Sequence, residues 1–413
     1  MLKNFFKIFI TLIAFYVISL TIVYTVTPNI LIKHTNNGLE QIEKETLYPK
    51  YFFNNNNATM LDNFTDKVML NEVIAKKDAD NPLEQAMYMN GYSRYWHGYQ
   101  ILLRPLLVLF NYFEIRYLNT FILFALFFKV MQTLNNKINA SAAWSFFTAV
   151  MCTKFFIVPM SLQFTNMIML MLVSILLADK IFCNTPKNLF DSKSADTNNL
   201  YIFTFILGSI TVFLDLLTTP ILPVGMAIIF IFLHYYQKSK LFIPNKTIIY
   251  AFIAWTAGYV STWASKWILA TIICQQNIIA QALHQVLFRV AGDGAKYEVH
   301  RLSMLESNIK MLFQPFGHTP KVIIISLIVI TCIILIRYFR KNDINKNLTK
   351  KLLLFSLLPY LWYLMAANHS QIHSWFTYRS QIITVFGFVY LISYIIDWTK
   401  IKSALKGKFK CLK

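Results

Sequence analysis

Trp96-His97-Gly98-Tyr99-Gln100-Ile101-Leu102-Leu103-Arg104-Pro105-Leu106-Leu107-Val108-Leu109-Phe110-Asn111-Tyr112-Phe113 decides how the rest of the chain is threaded. The stretch is apolar, yet Arg104-Pro105 interrupts it and it is short for a membrane crossing. If it lies flat at the outer surface, every later basic loop falls in the cytoplasm. If it spans, all of those loops face outward. Short cytoplasmic loops carry the excess of Lys and Arg, so the stretch reads as an interfacial helix kinked at Pro105.

Before it stands a first span over about 5–26, with Lys3 and Lys7 on its cytoplasmic side, followed by a polar segment to Tyr95 in which acids and bases nearly balance. The apolar stretch of this first span is too long for a signal peptide, and it is expected to stay uncleaved. After it, apolar runs over about 116–134, 142–158, 164–182, 200–216, 221–236, 248–263, 322–337, 352–366 and 375–396 complete roughly ten spans. Lys180, Lys187 and Lys193, then Lys238, Lys240 and Lys246, then Arg337, Arg340, Lys341, Lys346, Lys350 and Lys351, and the tail 400–413 all fall inside in one orientation. The expectation is an all-α polytopic bundle, one integral membrane domain over 1–413 with both termini cytoplasmic. Its large extracytoplasmic loops are 27–115 and 265–319, and in the second, amphipathic helices within 268–290 and 302–316 flank Gly292-Asp293-Gly294.

Composition agrees. The 413 residues are 56% hydrophobic and 14% charged, against roughly 25% charged in soluble domains. The net charge of +20 lies in short loops beside apolar runs, so its partner is an anionic membrane surface and not nucleic acid. Cys152, Cys183, Cys274, Cys332 and Cys411 form no CxxC or Cys/His pattern, which gives neither a disulfide framework nor a zinc site. The chain lacks a P-loop, a G-x-S-x-G elbow and an S-x-x-K, which removes support for ATP hydrolysis and serine acyl chemistry.

With this topology the singular polar residues collect on the outer face. Every histidine but His34 and His234 belongs to these clusters. Arg94, Arg104 and Arg379 suit a phosphate or pyrophosphate, because a guanidinium presents a fork of donors to its oxygens. Lys266, between Trp263 and Trp267, serves likewise or snorkels to headgroups. His97, His369 and His373 suit hydrogen bonding to phosphate or sugar. His369 and His373 are four apart and share a helix face, but Ser370 stands where a zinc protease motif needs glutamate. Trp96 is a stacking surface for a sugar or part of an interfacial belt. Asp66 and Asp215 are the candidate general bases. An acid at the end of 202–214 is costly in lipid unless it faces a cavity or a partner.

This layout resembles the GT-C superfamily of membrane glycosyltransferases: many spans, a large first outer loop, outer-surface helices and a carboxylate near the first span. The resemblance implies a polyprenyl-phosphate or polyprenyl-pyrophosphate sugar as donor. It places Asp66 at the catalytic acid, the Arg94–Arg104 segment on the donor phosphate, and Arg379 as a second phosphate ligand. Many members carry paired acids in the first loop, whereas Thr65-Asp66 is single. The expected function is extracytoplasmic transfer of a sugar to a cell-envelope glycan or lipid-linked acceptor, with inversion. A transporter or flippase of lipid-linked saccharides is the alternative. No cofactor is called for, and a divalent cation stays open.

Overall fold

The computed structural model describes residues 2–52, 56–74, 81–183, 188–191, 194–293, 296–314 and 318–411. Lys187, Lys193, Gly294 and the end of the basic tail lie outside them. The described chain is helical apart from isolated bridges at Lys50–Met60 and Arg340–Ile396.

Helix α1 (Leu2–Tyr24) is apolar and leads through Pro28 into the amphipathic α2 (Asn29–Glu45). The first large loop continues with α3 (Asn63–Ile74), α4 (Pro82–Tyr88) and α5 (Gln100–Leu109). α5 holds Pro105 and has 10 residues. That is about 15 Å of helix, half of the roughly 30 Å hydrocarbon core. A capping box then starts α6 (Tyr112–Lys137). Asn111 accepts from the Phe113 and Glu114 amides, and Glu114 accepts from the Asn111 amide at 2.7 Å.

Asparagine or serine caps begin several later helices, satisfying amides that have no partner inside the helix. Asn139 caps α7 (Ala140–Cys152) and Ser194 caps α9 (Ala195–Leu214), with α8 (Leu162–Ala178) between them. α10 (Ile221–Ser239) and the 30-residue α11 (Asn245–Cys274) follow. The second large loop forms α12 (Ile278–Ala291) and α13 (Arg301–Leu312), with Gly292 at φ 72° turning the chain after α12. The remainder is α14 (His318–Phe339), α15 (Lys346–Ser356), α16 (Leu358–Met365), α17 (Ala367–Ile372), α18 (Ser374–Thr377), α19 (Ile382–Ile395) and α20 (Trp398–Cys411).

Among the described residues six helices are long and apolar enough to cross a membrane: Lys3–Tyr24, Tyr112–Lys137, Leu162–Cys183, Ala195–Leu214, Ile221–Ser239 and Val322–Phe339. Other expected spans are shorter or broken. The run 142–158 is α-helical only to Cys152, because Lys154 takes a left-handed φ of 59° and Pro159 follows. The run 352–366 divides at Leu357, ahead of Pro359, into α15 and α16. The run 375–396 starts in short turns and becomes a regular helix of 14 residues only at Ile382. Conversely, α11 continues past the expected end at 263 to Cys274.

The main core joins α6 to α11 with α15 and α19. α9 and α11 cross with backbones in contact. A Cβ on Gly208 would lie 2.1 Å from the Trp255 carbonyl oxygen, and one on Gly258 would lie 2.1 Å from that of Phe205. Small residues at a helix crossing permit this approach.

Candidate functional site

Both large loops and the turn before α19 meet at one end of the bundle. The Ala58 amide donates to Oε1 of Gln314 at 3.0 Å, and the Tyr378 hydroxyl donates to the Ala58 carbonyl at 2.8 Å. Several residues singled out in the sequence hold this end together and leave little free to grip a ligand. Asp66 is fully buried. Its carboxylate accepts from the Tyr112 hydroxyl at 2.7 Å, the Leu162 amide at 2.9 Å and Ser161 Oγ at 3.2 Å, so it caps the start of α8. Burial raises its pKa, against the pull of Arg116, Tyr112 and the Leu162 amide. Asp62, one turn earlier, is also buried, which pushes it up to about 6. The first loop therefore does carry a neighbouring pair of acids.

Arg104 spends its guanidinium on backbone. It donates to the carbonyls of Val23 at 2.7 Å, Val26 at 2.9 Å and Val73, and lies over the Tyr24 ring. Lys266 donates to the Met87 carbonyl at 2.9 Å, at the end of α4. Trp96 donates to the Thr262 carbonyl at 2.6 Å. His97 sits within 2.9 Å of Glu72 and of the Tyr92 carbonyl. Arg379 reaches the carbonyls of Trp375 and Ala58, each at 3.3 Å, and covers the Phe164 ring. Cations at helix C-terminal carbonyls are favoured by the helix dipole. These placements give Arg104, Lys266, Trp96, His97 and Arg379 partners within the protein.

Arg94 lines a cavity of about 510 Å³, and Asp215, His369 and His373 lie behind its lining: Asp215 interacts with Tyr95 and Tyr259, and both histidines contact Arg289. Its walls come from α11 (Trp255, Tyr259, Trp263) and α16 (Leu361, Trp362, Met365), and Arg94 and Arg289 of α12 also line it. Val260, Leu361 and Met365 of its lining are exposed. Along α11 the rings of Trp255, Tyr259, Trp263 and Trp267 follow one another in tilted or edge contacts, with centroids 5.3, 5.8 and 5.3 Å apart. The indoles of Trp263 and Trp267 both donate to the Arg94 carbonyl, at 2.9 and 3.0 Å, fixing that residue in the lining. Arg94 lies 4.0 Å above the Tyr92 ring. Nη1 of Arg289 is 2.7 Å from Nδ1 of His369 and 3.1 Å from Nε2 of His373. Among the described residues neither guanidinium has a carboxylate within ion-pair distance, and the Nε of each is buried without a partner.

Asp215 stands just past the end of α9. Oδ1 accepts from the Thr218 amide at 2.7 Å, whereas Oδ2 is buried with no hydrogen-bond partner. Burial pushes its pKa up to about 7, opposed by that amide. Electrostatic interaction links it to Tyr95 and Tyr259, which line the cavity. Leu217, two residues on, has a left-handed φ of 73°, strained for a residue with a Cβ. Its carbonyl accepts from Nε2 of His369 at 2.7 Å, so the imidazole ties the Arg289 side of the cavity to the loop that carries Asp215. Burial, His373 and Arg289 hold His369 well below the usual histidine range. Burial and Arg289 take His373 down to about 3.

No family model, curated protein or solved structure matches this chain. The site is therefore read from its own chemistry. Among the described residues its two arginines have no acid within ion-pair distance, which favours an anion beside them, and the rest of its lining is mainly apolar. A carboxyl titrating near neutral pH stands behind that lining, suited to proton transfer. Among the described residues no cluster of three or more His, Cys, Asp or Glu side chains is arranged to hold a metal ion. The sequence reading missed Arg289. Its signal was a lone basic residue ending the amphipathic run of α12, and its histidine partners lie about eighty positions away.

Proposed function

We propose that this chain is a membrane glycosyltransferase that moves a sugar from a polyprenyl-phosphate carrier to a glycan or lipid-linked acceptor on the extracytoplasmic face. One observation carries the reading. Arg94 and Arg289, without carboxylate partners among the described residues, line an apolar cavity, and behind its Tyr95 and Tyr259 lies Asp215, whose Oδ2 has no hydrogen-bond partner. Arg94 and Arg289 hold the carrier phosphate and stabilise the charge it gains on leaving. Asp215 takes the proton of the acceptor hydroxyl as that oxygen bonds to the anomeric carbon and the bond to the phosphate oxygen breaks. Single displacement inverts the anomeric centre and leaves polyprenyl phosphate in the cavity with its tail in lipid. Asp66, the acid favoured by the GT-C resemblance, is the second candidate base. In this reading α7, α11, α15 with α16, and α19 complete about ten crossings, and both termini are cytoplasmic.

The test is transfer in liposomes by the full chain, using defined polyprenyl-phosphate sugars and comparing wild type with Asp215→Asn and Arg289→Gln. Loss of transfer with donor binding retained in Asp215→Asn is the expected result. Movement of intact donor between leaflets without transfer overturns the enzyme reading in favour of a transporter. Full transfer by Asp215→Asn removes that residue from the reaction.

A further inference from the structure

A separate cavity, sharing no lining residue with the first, lies at the end of α14. α14 is joined to the bundle where it ends. The Lys341 amide donates to the Ile395 carbonyl at 2.9 Å, the Asp397 amide donates to the Phe339 carbonyl at 2.6 Å, and Arg340 bridges to Ile396. Along Val322–Phe339 none of the helix is buried, and no α14 residue belongs to a hydrophobic core cluster. A helix held at its end and bare along its length leaves a wedge beside it. The wedge is a cavity of about 510 Å³, within the usual range of ligand pockets.

Its walls are aliphatic: Ile336, Ile344, Leu353, Leu354, Leu357 and Ile395. The polar residues that line it include Arg340, Lys346 and Lys350, all exposed. Among the described residues none of these cations has an acid within ion-pair distance, and Asp397 is turned to Lys400 at 3.9 Å. Lys341 is different, since its ammonium donates to the Tyr394 carbonyl at 2.8 Å. Free phosphate would satisfy the cations and leave the aliphatic wall bare. A second copy of this chain would bring an equally basic rim against the first. An anionic headgroup on an aliphatic chain matches both parts.

We propose that this wedge is a binding site for an acidic glycerophospholipid, its headgroup on Arg340, Lys346 and Lys350 and an acyl chain between α14 and α15. Basic pockets between membrane helices take acidic headgroups in this way. The lipid completes the packing that the protein leaves open beside α14, and the site stands whether or not the transfer reaction does.

The test uses the full chain purified in mild detergent with added dioleoylphosphatidylglycerol or dioleoylphosphatidylcholine. Retained lipid is counted by native mass spectrometry, and folding is checked by the unfolding temperature. Wild type is expected to hold the acidic lipid at least about ten-fold better than the zwitterionic one. Arg340→Gln with Lys346→Gln and Lys350→Gln removes that preference. Leu353→Trp, which fills the wedge and keeps every cation, removes retention of both lipids. Lys238→Gln with Lys240→Gln, a basic pair outside the wedge, changes nothing. Equal retention of the two lipids by wild type overturns the proposal. So does a preference that survives either wedge variant, or a loss in the Lys238/Lys240 control as large as in the triple variant.

Discussion

Arg289 and His369 meet at 2.7 Å, Nη1 to Nδ1. A guanidinium can only donate, so Nδ1 of His369 is unprotonated. The ring proton is therefore on Nε2, where it donates to the Leu217 carbonyl at 2.7 Å. One tautomer of one imidazole thus serves an arginine on α12 and a strained loop after α9.

Replacing Arg289 with Gln is expected to lower kcat/KM for sugar transfer by roughly 10²–10³, the usual cost of losing a donor to developing charge. Arg289→Lys should not restore it, because an ammonium lacks the planar fork that spans His369, His373 and a phosphate. Steady-state transfer in liposomes measures both.

Asp215→Asn is expected to abolish most transfer while raising the unfolding temperature at pH 8. The carboxyl titrates near 7 in the folded chain, against roughly 3.9 when unfolded. Folding therefore favours its protonated form, and the stability this contributes is lost as pH rises from about 4 through about 7. The gain from the asparagine should be larger at pH 8 than at pH 5. If Asp215 is the base, transfer by wild type rises with pH through about 7 and then levels.

The histidines have the opposite sign. Below about pH 6.5 the unfolded chain takes up protons that buried His369 and His373 refuse, so stability is lost as pH falls through that range. His373→Gln should flatten the slope of unfolding temperature between pH 7 and pH 5. An unchanged slope would mean that the imidazole is protonated in the folded state.

Asp66→Ala strips a buried cap from α8, leaving the Leu162 amide unpaired and the Tyr112 hydroxyl without its acceptor, at a cost of about 2–5 kcal/mol. The expected readout is a lower unfolding temperature. Transfer per folded molecule distinguishes the two candidate bases: if it is lost in Asp66→Ala and retained in Asp215→Asn, the base is Asp66.

Gly258→Val places a Cβ against the Phe205 carbonyl and should push α11 off α9, costing roughly 1–3 kcal/mol or more. Thermal unfolding in detergent measures it. A neutral result would mean that the two backbones do not touch.

Apolar periodicity made the helices legible, and sidedness made it legible that Arg94, Asp215 and His369 could share one place. The fates of Arg104 and Lys266 were not legible. Their partners are carbonyls at the ends of α1, α3 and α4, and a backbone carbonyl has no letter in the sequence. The same holds for Asp66, whose role depends on where α8 starts. Arg289 was hidden for another reason: only the folded turn at His369 and His373 distinguishes it from any basic residue on an amphipathic helix. The broken helices at 142–158 and 352–366 were foreshadowed by Pro159 and Pro359.

The exposed lining of the Arg94–Arg289 cavity at Val260, Leu361 and Met365 sets the units in which any occupant must be counted. In the proposed reading, a molecule arriving there travels in two dimensions, through the bilayer. Saturation will then follow its mole fraction among lipids, and diluting it with inert lipid at constant bulk concentration will empty the site.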